Sequence, residues 1–204
     1  MRREAGPVLI AHSSAVARWT AHMNGVNPPA ALRDWLTDRA SLTAKLSAGA
    51  GRFRVQRLHQ RRGICLADEA ALIGLPRPRQ VIERDVLLLC GGRPLVYAHT
   101  VVPLAATASQ WPLFGALGER SLGTTLFGDP GVVRGALQYA RLRPGHPLLQ
   151  RARAAVASGA ADGVLFARRC LYRRKGGLLL VTEVFLPHIA LLELPAGNRD
   201  VLRE

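Results

Sequence analysis

Two apolar runs separated by a short glycine-rich segment constrain the fold more than any other feature of this sequence. The runs are Gln80–Cys90 and Leu95–Pro103, and residues 91–94 between them read Gly-Gly-Arg-Pro. Such a segment between two β-prone runs is typical of a tight turn, because glycine readily adopts the positive φ angles that hairpin turns require. The pattern predicts a β-hairpin over Gln80–Pro103.

A second hairpin is predicted nearer the C-terminus, with strands over Leu165–Tyr172 and Leu178–Pro187 and a turn over Arg173–Gly177. Helical segments are expected between the two hairpins, around residues 111–117, 122–127, 130–139 and 146–157. Hairpin strands are antiparallel, and a block of helices between hairpins does not form alternating βαβ units. We therefore expect an α+β fold in which helices cover a single antiparallel β-sheet.

The chain before the first hairpin is predicted to contain two short helices and a strand. The apolar residues of Ala30–Leu46 have roughly helical spacing, and Ser41 is a suitable N-cap for the second helix. Phe53–Leu58 is predicted as a short strand, followed by a turn at Arg61–Gly63.

No internal repeat or long linker divides the 204 residues, so we expect a single domain over residues 1–204. A chain of this length buries enough apolar surface for a full core without disulfides or metals. Residues 1–25 have little pattern and are expected to be loosely ordered.

The formal net charge of +14 arises from 28 basic and 14 acidic residues. Lys45 and Lys175 are the two lysines, so the other 26 basic residues are arginines. A basic surface attracts anionic partners, but an arginine preference spread along the whole chain is also what GC-rich coding produces. Aromatic residues make up 5% of the chain, which leaves few platforms for base stacking. Nucleic acid is therefore not expected as a partner.

The three cysteines are an odd number without a Cys-x-x-Cys pair, which indicates reduced thiols and a cytoplasmic protein. The apolar stretch after Arg2 and Arg3 is too short for the core of a signal peptide. Charged residues and a proline interrupt the most apolar window, Gly176–Leu194. No stable insertion into a membrane is therefore expected.

Strand alternation singles out two charged residues, because side chains two positions apart share a face. Glu183 shares its face with Leu179, Val181 and Phe185. Arg84 likewise shares its face with Ile82, Val86 and Leu88, whereas Glu83 and Asp85 take the opposite face. Arg84 and Glu183 are predicted to point into apolar surroundings.

A charge in such surroundings costs several kcal/mol unless a partner compensates it. Arg84 and Glu183 either pair with one another in a structural ion pair or await a ligand. Both strands could also be buried on both faces, in which case the alternation argument loses force. An inward arginine suits a carboxylate, because its planar guanidinium donates two parallel hydrogen bonds. An inward glutamate can bind a hydroxyl group or move a proton.

Motifs for other kinds of chemistry are absent from the sequence. The six histidines form no His-x-x-x-His pair and have no cysteines at zinc spacing. The phosphate-binding patterns Gly-x-x-x-x-Gly-Lys-Ser/Thr and Gly-x-Gly-x-x-Gly are missing, as is the Gly-x-Ser-x-Gly elbow. We expect a site without metal or cofactor, made of arginine, glutamate and backbone N–H groups.

Several segments in order along the chain resemble the chorismate pyruvate-lyases, or chorismate lyases, of bacterial ubiquinone biosynthesis. The matching segments are Ser41–Thr43, Arg84–Leu88, Gly92-x-Pro94 continuing to Thr100–Pro103, Ser121–Gly123, Gly145–Leu148, Ala167–Arg169 and Leu179–Glu183 continuing to Leu186–Pro187. The resemblance implies the fold of that family with an enclosed ligand cavity. It also implies cofactor-independent conversion of chorismate to 4-hydroxybenzoate and pyruvate, and we expect a monomer.

The resemblance implies roles for four residues of this chain. Arg84 matches the arginine that grips the ring carboxylate, and Glu183 matches the glutamate that meets the ring hydroxyl. Leu42, where the family often has methionine, and Leu122 match positions whose backbone N–H groups complete the carboxylate site. His99 stands where some members have an arginine.

A second hypothesis is a non-catalytic effector-binding domain for small acids, because the sensor domains of some transcription regulators have a similar fold. Such regulators carry a winged-helix domain ahead of the sensor. About 50 residues precede the first predicted strand here, and they show no clear helix-turn-helix pattern.

Overall fold

Six β-strands and five short α-helices make up most of the chain that the computed structural model describes, which is residues 16–48, 52–156 and 163–192. The helices are α1 (Ala30–Thr37), α2 (Leu42–Ala48), α3 (Ala67–Ala70), α4 (Leu122–Gly128) and α5 (Pro147–Ala155). The strands are β1 (Phe53–Ile64), β2 (Gln80–Cys90), β3 (Arg93–Pro103), β4 (Val132–Leu142), β5 (Leu165–Arg174) and β6 (Gly177–Phe185). Short 3-10 helices lie at Met23–Gly25, Leu104–Ala106, Pro112–Ala116 and Pro187–Leu191.

The strands form one antiparallel sheet in the order β1-β2-β3-β6-β5-β4. Both predicted hairpins, β2–β3 and β5–β6, are confirmed, and they pair with each other through β3 and β6 at the centre of the sheet. The first hairpin turns at Gly91 and Gly92, with φ angles of 56° and 78°. This left-handed backbone explains the two glycines. The α+β prediction with a single antiparallel sheet is confirmed.

Helices cover both faces of the sheet. Leu36 of α1 and Leu46 of α2 belong to the same buried cluster as Val86 and Leu88 of β2. Neighbouring residues of β2, Leu87 and Leu89, instead belong to a cluster with Leu148 and Leu149 of α5. Because both faces are buried, Glu83 and Asp85, although they lie opposite Arg84 as predicted, are only 2% and 1% exposed.

The prediction of a strand that ends at Leu58 and turns at Arg61–Gly63 is wrong, because β1 continues to Ile64. Its register with β2 shifts between Arg57 and His59, which marks a β-bulge. One extra residue inverts the alternation of side chains between the two faces. The period-2 pattern is lost there, so the sequence resembles the end of a strand.

The prediction of a helix over residues 130–139 is also wrong, because this segment belongs to β4. A bulge between Arg134 and Leu137 shifts the register with β5. It leaves apolar residues of β4 three or four positions apart, at Val133, Leu137 and Ala140. That spacing is typical of a helix, which explains the error.

The remaining predicted helices are confirmed. Ala30–Leu46 contains α1 and the start of α2, and the Ser41 hydroxyl accepts a hydrogen bond from the N–H of Ala44 at 3.3 Å. The segments around residues 111–117, 122–127 and 146–157 contain the 3-10 helix Pro112–Ala116, α4 and α5, although residue 157 lies outside the described residues.

Residues 1–15 of the segment expected to be loosely ordered lie outside the described residues. Beyond them, Thr20 bridges to Tyr139 of β4 through two backbone hydrogen bonds of 2.9 and 2.8 Å. The indole N–H of Trp19 donates to Asp68 at 2.7 Å, and its ring centroid lies 4.1 Å from the Arg169 guanidinium carbon. These contacts attach residues 19 and 20 to the body of the protein.

Candidate functional site

A pocket lies between the sheet and the helices α2 and α4. It holds about 640 Å³ of atom-free space, including the solvent space at its mouth. Apolar side chains of β2, β3 and β6 form its floor, and all four residues singled out from the sequence line it: Leu42, Arg84, Leu122 and Glu183. That the pocket is enclosed stays a prediction.

Arg84 projects into the pocket from β2 and is 2% exposed. Its Nη2 donates to the carbonyl oxygens of Gly118 and Arg120, each 3.1 Å away. Its Nε has no hydrogen-bond partner, and no carboxylate of the described residues forms an ion pair with it. Burial and the nearby charge of Arg57 lower the pKa of Arg84 to about 10, so it remains charged at neutral pH. A buried cation without a counter-ion suits an anionic ligand.

Glu183 lines the same pocket from β6, and its side chain is 19% exposed. Arg168 of β5 donates from Nε to the Glu183 carboxylate at 2.5 Å. Nη1 of Arg168 also donates to the carbonyl oxygens of Trp35 and Asp38 at the end of α1, at 2.9 and 2.6 Å. The ion pair of Glu183 is therefore with Arg168 and not with Arg84, and it fixes the direction of the carboxylate.

The sheet register sets the distance between Arg84 and Glu183. Arg84 lies opposite Thr100 of β3, whereas Glu183 lies opposite Ala98 of the same strand. The two residues are therefore two strands apart and offset by two residues. At about 4.8 Å between strands and about 3.4 Å per residue, their Cα atoms are roughly 12 Å apart. From this separation both side chains line the same pocket.

Leu42 and Leu122 are the first residues of α2 and α4. The N–H groups in the first turn of a helix have no acceptor within the helix. A hydrogen bond of 2.7 Å between the hydroxyls of Thr43 and Ser121 holds these two helix starts together. A Cβ on Gly123 would lie 3.1 Å from the Thr43 hydroxyl, so a glycine fits this close contact best. Two sets of backbone N–H groups therefore meet beside the pocket.

Sequence reasoning missed two arginines that line the pocket, Arg134 and Arg168. Arg134 lies in the segment that was predicted to be helical, where the bulge of β4 hides the strand pattern. Arg168 could have been found by the alternation rule that found Arg84, because it shares a strand face with Phe166, Cys170 and Tyr172.

A second group of buried charges, on the opposite face of the sheet, is centred on His99, which is 1% exposed. Its Nδ1 lies 2.5 Å from Asp85 and its Nε2 lies 3.2 Å from Glu69. Burial alone opposes a charge on His99, but the two carboxylates outweigh it and raise the pKa of His99 to about 10. His99 is therefore enclosed by carboxylates and offers no site for an anion.

Two further observations concern the described ranges as a whole. Within them, no three His, Cys, Asp or Glu side chains gather in a way that could hold a metal ion. No helix in the same ranges is long and apolar enough to cross a bilayer.

Sequence comparisons with known proteins agree on one family. The family model described as chorismate lyase matches residues 14–191. A probable chorismate pyruvate-lyase of Cupriavidus metallidurans is 43% identical over 183 residues, which cover 89% of this chain and 86% of that protein. A probable chorismate pyruvate-lyase of Ralstonia nicotianae is 45% identical over 164 residues, covering 79% of this chain and 84% of that protein.

Among solved structures, the C-terminal domain of PhnF has a TM-score of 0.51 and 16% sequence identity, over 74% of this chain and 93% of that one. At this identity the likeness shows a shared fold. The sequence relatives go further, because they share more than 40% of aligned residues over most of both chains. Together with the family model, they show that this chain belongs to the chorismate lyase family.

Proposed function

We propose that this protein converts chorismate to 4-hydroxybenzoate and pyruvate. The observation that carries the proposal is the arrangement of charge in one pocket, with the unpaired cation of Arg84 at one end and the carboxylate of Glu183 at the other. Chorismate has a carboxylate on one ring carbon and a hydroxyl group on the opposite one. It therefore presents an anion to Arg84 and a hydrogen-bond donor to Glu183.

Arg84 is proposed to bind the ring carboxylate. Its Nε has no other acceptor, and its Nη2 is already held by two carbonyl oxygens, so its direction is set before the ligand arrives. The backbone N–H groups of Leu42 and Leu122 complete the carboxylate site, because both residues begin a helix beside the pocket. Hydrogen bonds between charged groups of this kind are short and strong.

The reaction breaks the ether bond between the ring and the enolpyruvyl group, and the electron pair of that bond leaves with the enolpyruvate oxygen. The hydrogen on the adjacent, hydroxyl-bearing carbon leaves as a proton, and the C–H electron pair becomes the third double bond of the aromatic ring. The enolpyruvate then takes up a proton on its methylene carbon to become pyruvate. Glu183 accepts the hydrogen bond of that hydroxyl. It acts either as the base that removes the proton or as a fixed negative charge that stabilises the transition state at this carbon.

The gain of an aromatic ring makes this reaction favourable, so the protein needs to hold one conformer and assist one proton transfer. We propose that it does so as a cytoplasmic monomer without a cofactor, in the first step of ubiquinone biosynthesis. The net charge of +14 would attract the dianionic substrate.

The test is to mix the purified protein with chorismate and EDTA and to quantify both products chromatographically. Equal amounts of 4-hydroxybenzoate and pyruvate, formed at a rate proportional to the protein concentration, are expected. No conversion by folded protein would refute the proposal. Tight binding of 4-hydroxybenzoate without conversion would point instead to a non-catalytic effector-binding domain.

A further inference from the structure

The pocket contains more positive charge than one carboxylate can neutralise. Three of its lining residues, Arg84, Arg134 and Arg168, are arginines, and Glu183 is its one acidic lining residue. Arg168 is paired with Glu183. Within the described residues, Arg84 and Arg134 form no ion pair, so two positive charges remain without a counter-ion.

The bulge of β4 is what brings Arg134 into the pocket. Arg134 and Leu137 are three residues apart and would face opposite sides of a regular strand. Relative to their partners on β5, Tyr172 and Cys170, they have one extra residue between them, and both line the pocket. Bulges commonly redirect a side chain beside a functional site.

Arg134 is held in place but keeps an unused donor. Its Nη1 donates to the carbonyl oxygen of Arg39, and its guanidinium carbon lies 5.2 Å from the centroid of the Phe127 ring. Its Nε is buried without a hydrogen-bond partner. Arg168, the ion-pair partner of Glu183, donates to the carbonyl oxygen of the residue before Arg39, Asp38, at 2.6 Å. Arg134 also interacts electrostatically with Glu183. It therefore stands at the Glu183 end of the pocket.

We propose that Arg134 forms a second anion subsite, which binds the carboxylate of the enolpyruvyl side chain of the substrate. The identity of this anion rests on the proposed function. Chorismate is a dianion, and its enolpyruvyl ether is attached to the ring carbon next to the one that bears the hydroxyl. When the hydroxyl lies at Glu183, the side chain extends from the same end of the ring, where Arg134 stands. Arg84 and Arg134 then each receive one carboxylate.

The subsite predicts that substrate and aromatic product respond differently to loss of Arg134, because 4-hydroxybenzoate lacks the second carboxylate. Arg134→Gln is expected to lower kcat/KM for chorismate roughly 10- to 100-fold. The Kd of 4-hydroxybenzoate for Arg134→Gln, measured by calorimetry, should stay within about twofold of the parent's Kd. Arg141→Gln is the matched control, because Arg141 is an exposed arginine of the same strand outside the pocket. Its kcat/KM should equal that of the parent.

The subsite is refuted if Arg134→Gln retains the kcat/KM of the control. It is also refuted if the substitution raises the Kd of 4-hydroxybenzoate by as large a factor as it lowers kcat/KM for chorismate. Comparing the affinities of two probes for the unmodified protein tests the subsite even if Arg134→Gln does not fold. The probes are 3-(carboxymethoxy)benzoate, which has a second carboxylate on an ether, and 3-methoxybenzoate, which lacks it. The dicarboxylate should bind about tenfold more tightly, and equal affinities would overturn the subsite.

These experiments also separate the two proposals. A preference for the dicarboxylate that is lost in Arg134→Gln, together with no turnover of chorismate, would refute the proposed function and leave an anion subsite at Arg134. Turnover of chorismate together with equal binding of the two probes would refute the subsite and leave the proposed function in place.

Discussion

The buried charge of His99 is expected to make the stability of this protein fall as the pH rises from 7 to 9. His99 of β3 lies between Asp85 of β2 and Glu69 of α3. Asp85 also accepts a hydrogen bond from the Tyr97 hydroxyl and has His59 and Arg151 nearby, at 3.4 and 3.8 Å. The ion pairs of His99 exist only while its imidazole is protonated.

The pKa of His99 rises from the ordinary histidine value of 6.5 to about 10, because the two carboxylates outweigh the effect of burial. A group with a raised pKa in the folded state contributes its full stability below the unfolded pKa and loses it as the pH approaches the folded pKa. Each pKa unit corresponds to about 1.4 kcal/mol, so the linked stability is at most about 5 kcal/mol. Between pH 7 and pH 9 the free energy of unfolding should fall by about 2–3 kcal/mol.

Urea unfolding at pH 7, 8 and 9 measures this change for the parent, for His99→Gln and for His188→Gln, which alters an exposed histidine. The parent and His188→Gln should follow the same decline, and His99→Gln should be less stable at pH 7 with a flatter profile. Burial also raises the pKa of Tyr97 and of Cys65, and both residues remain in every variant, so the difference between profiles isolates His99. A parent profile that is level from pH 7 to pH 9 would refute the reasoning, even if His99→Gln does not fold.

Three further predictions concern the pocket and its framework. Arg84→Ala should weaken 4-hydroxybenzoate binding by about 2–5 kcal/mol in calorimetry, because it removes one partner of a buried charge pair, and unchanged affinity would exclude Arg84 from the carboxylate site. Glu183→Gln should lower kcat by about 100-fold or more with an unchanged circular dichroism spectrum, whereas parent-like turnover would contradict the role of Glu183. Gly135→Ala should lower the free energy of unfolding, measured in urea, by about 1–3 kcal/mol, because the added Cβ would lie 2.9 Å from the carbonyl oxygen of Leu171. An unchanged free energy of unfolding would mean that the bulge tolerates a side chain.

Much of the sheet was predictable from local patterns. The two hairpins follow from glycine-containing turns between β-prone runs, and such turns act over a few residues. The alternation rule also placed Arg84 and Glu183 on the face that lines the pocket. It works because successive side chains of a regular strand point to opposite faces wherever the strand begins or ends.

The two strands that were misread, β1 and β4, both contain a bulge. An extra residue inverts the side-chain alternation beyond it, so a pattern with period 2 breaks although the strand continues. In β4 the extra residue of the bulge brings Arg134 to the pocket. The irregularity that misled the prediction therefore also adds a charge to the candidate site. Alternation left open whether both faces of β2 are buried, and the packing of helices on both faces decides that Glu83 and Asp85 are covered.

The sequence by itself determined the hairpins, the fold class and the inward direction of Arg84 and Glu183, because turn chemistry and strand alternation depend on residues close together in the chain. Only the tertiary structure decided how the buried charges are distributed. Glu183 pairs with Arg168, whereas Arg84 and Arg134 form no ion pair with a carboxylate among the described residues. The reason is that the partner of a buried charge depends on strand order, register and helix packing, which bring together residues that are far apart in the chain.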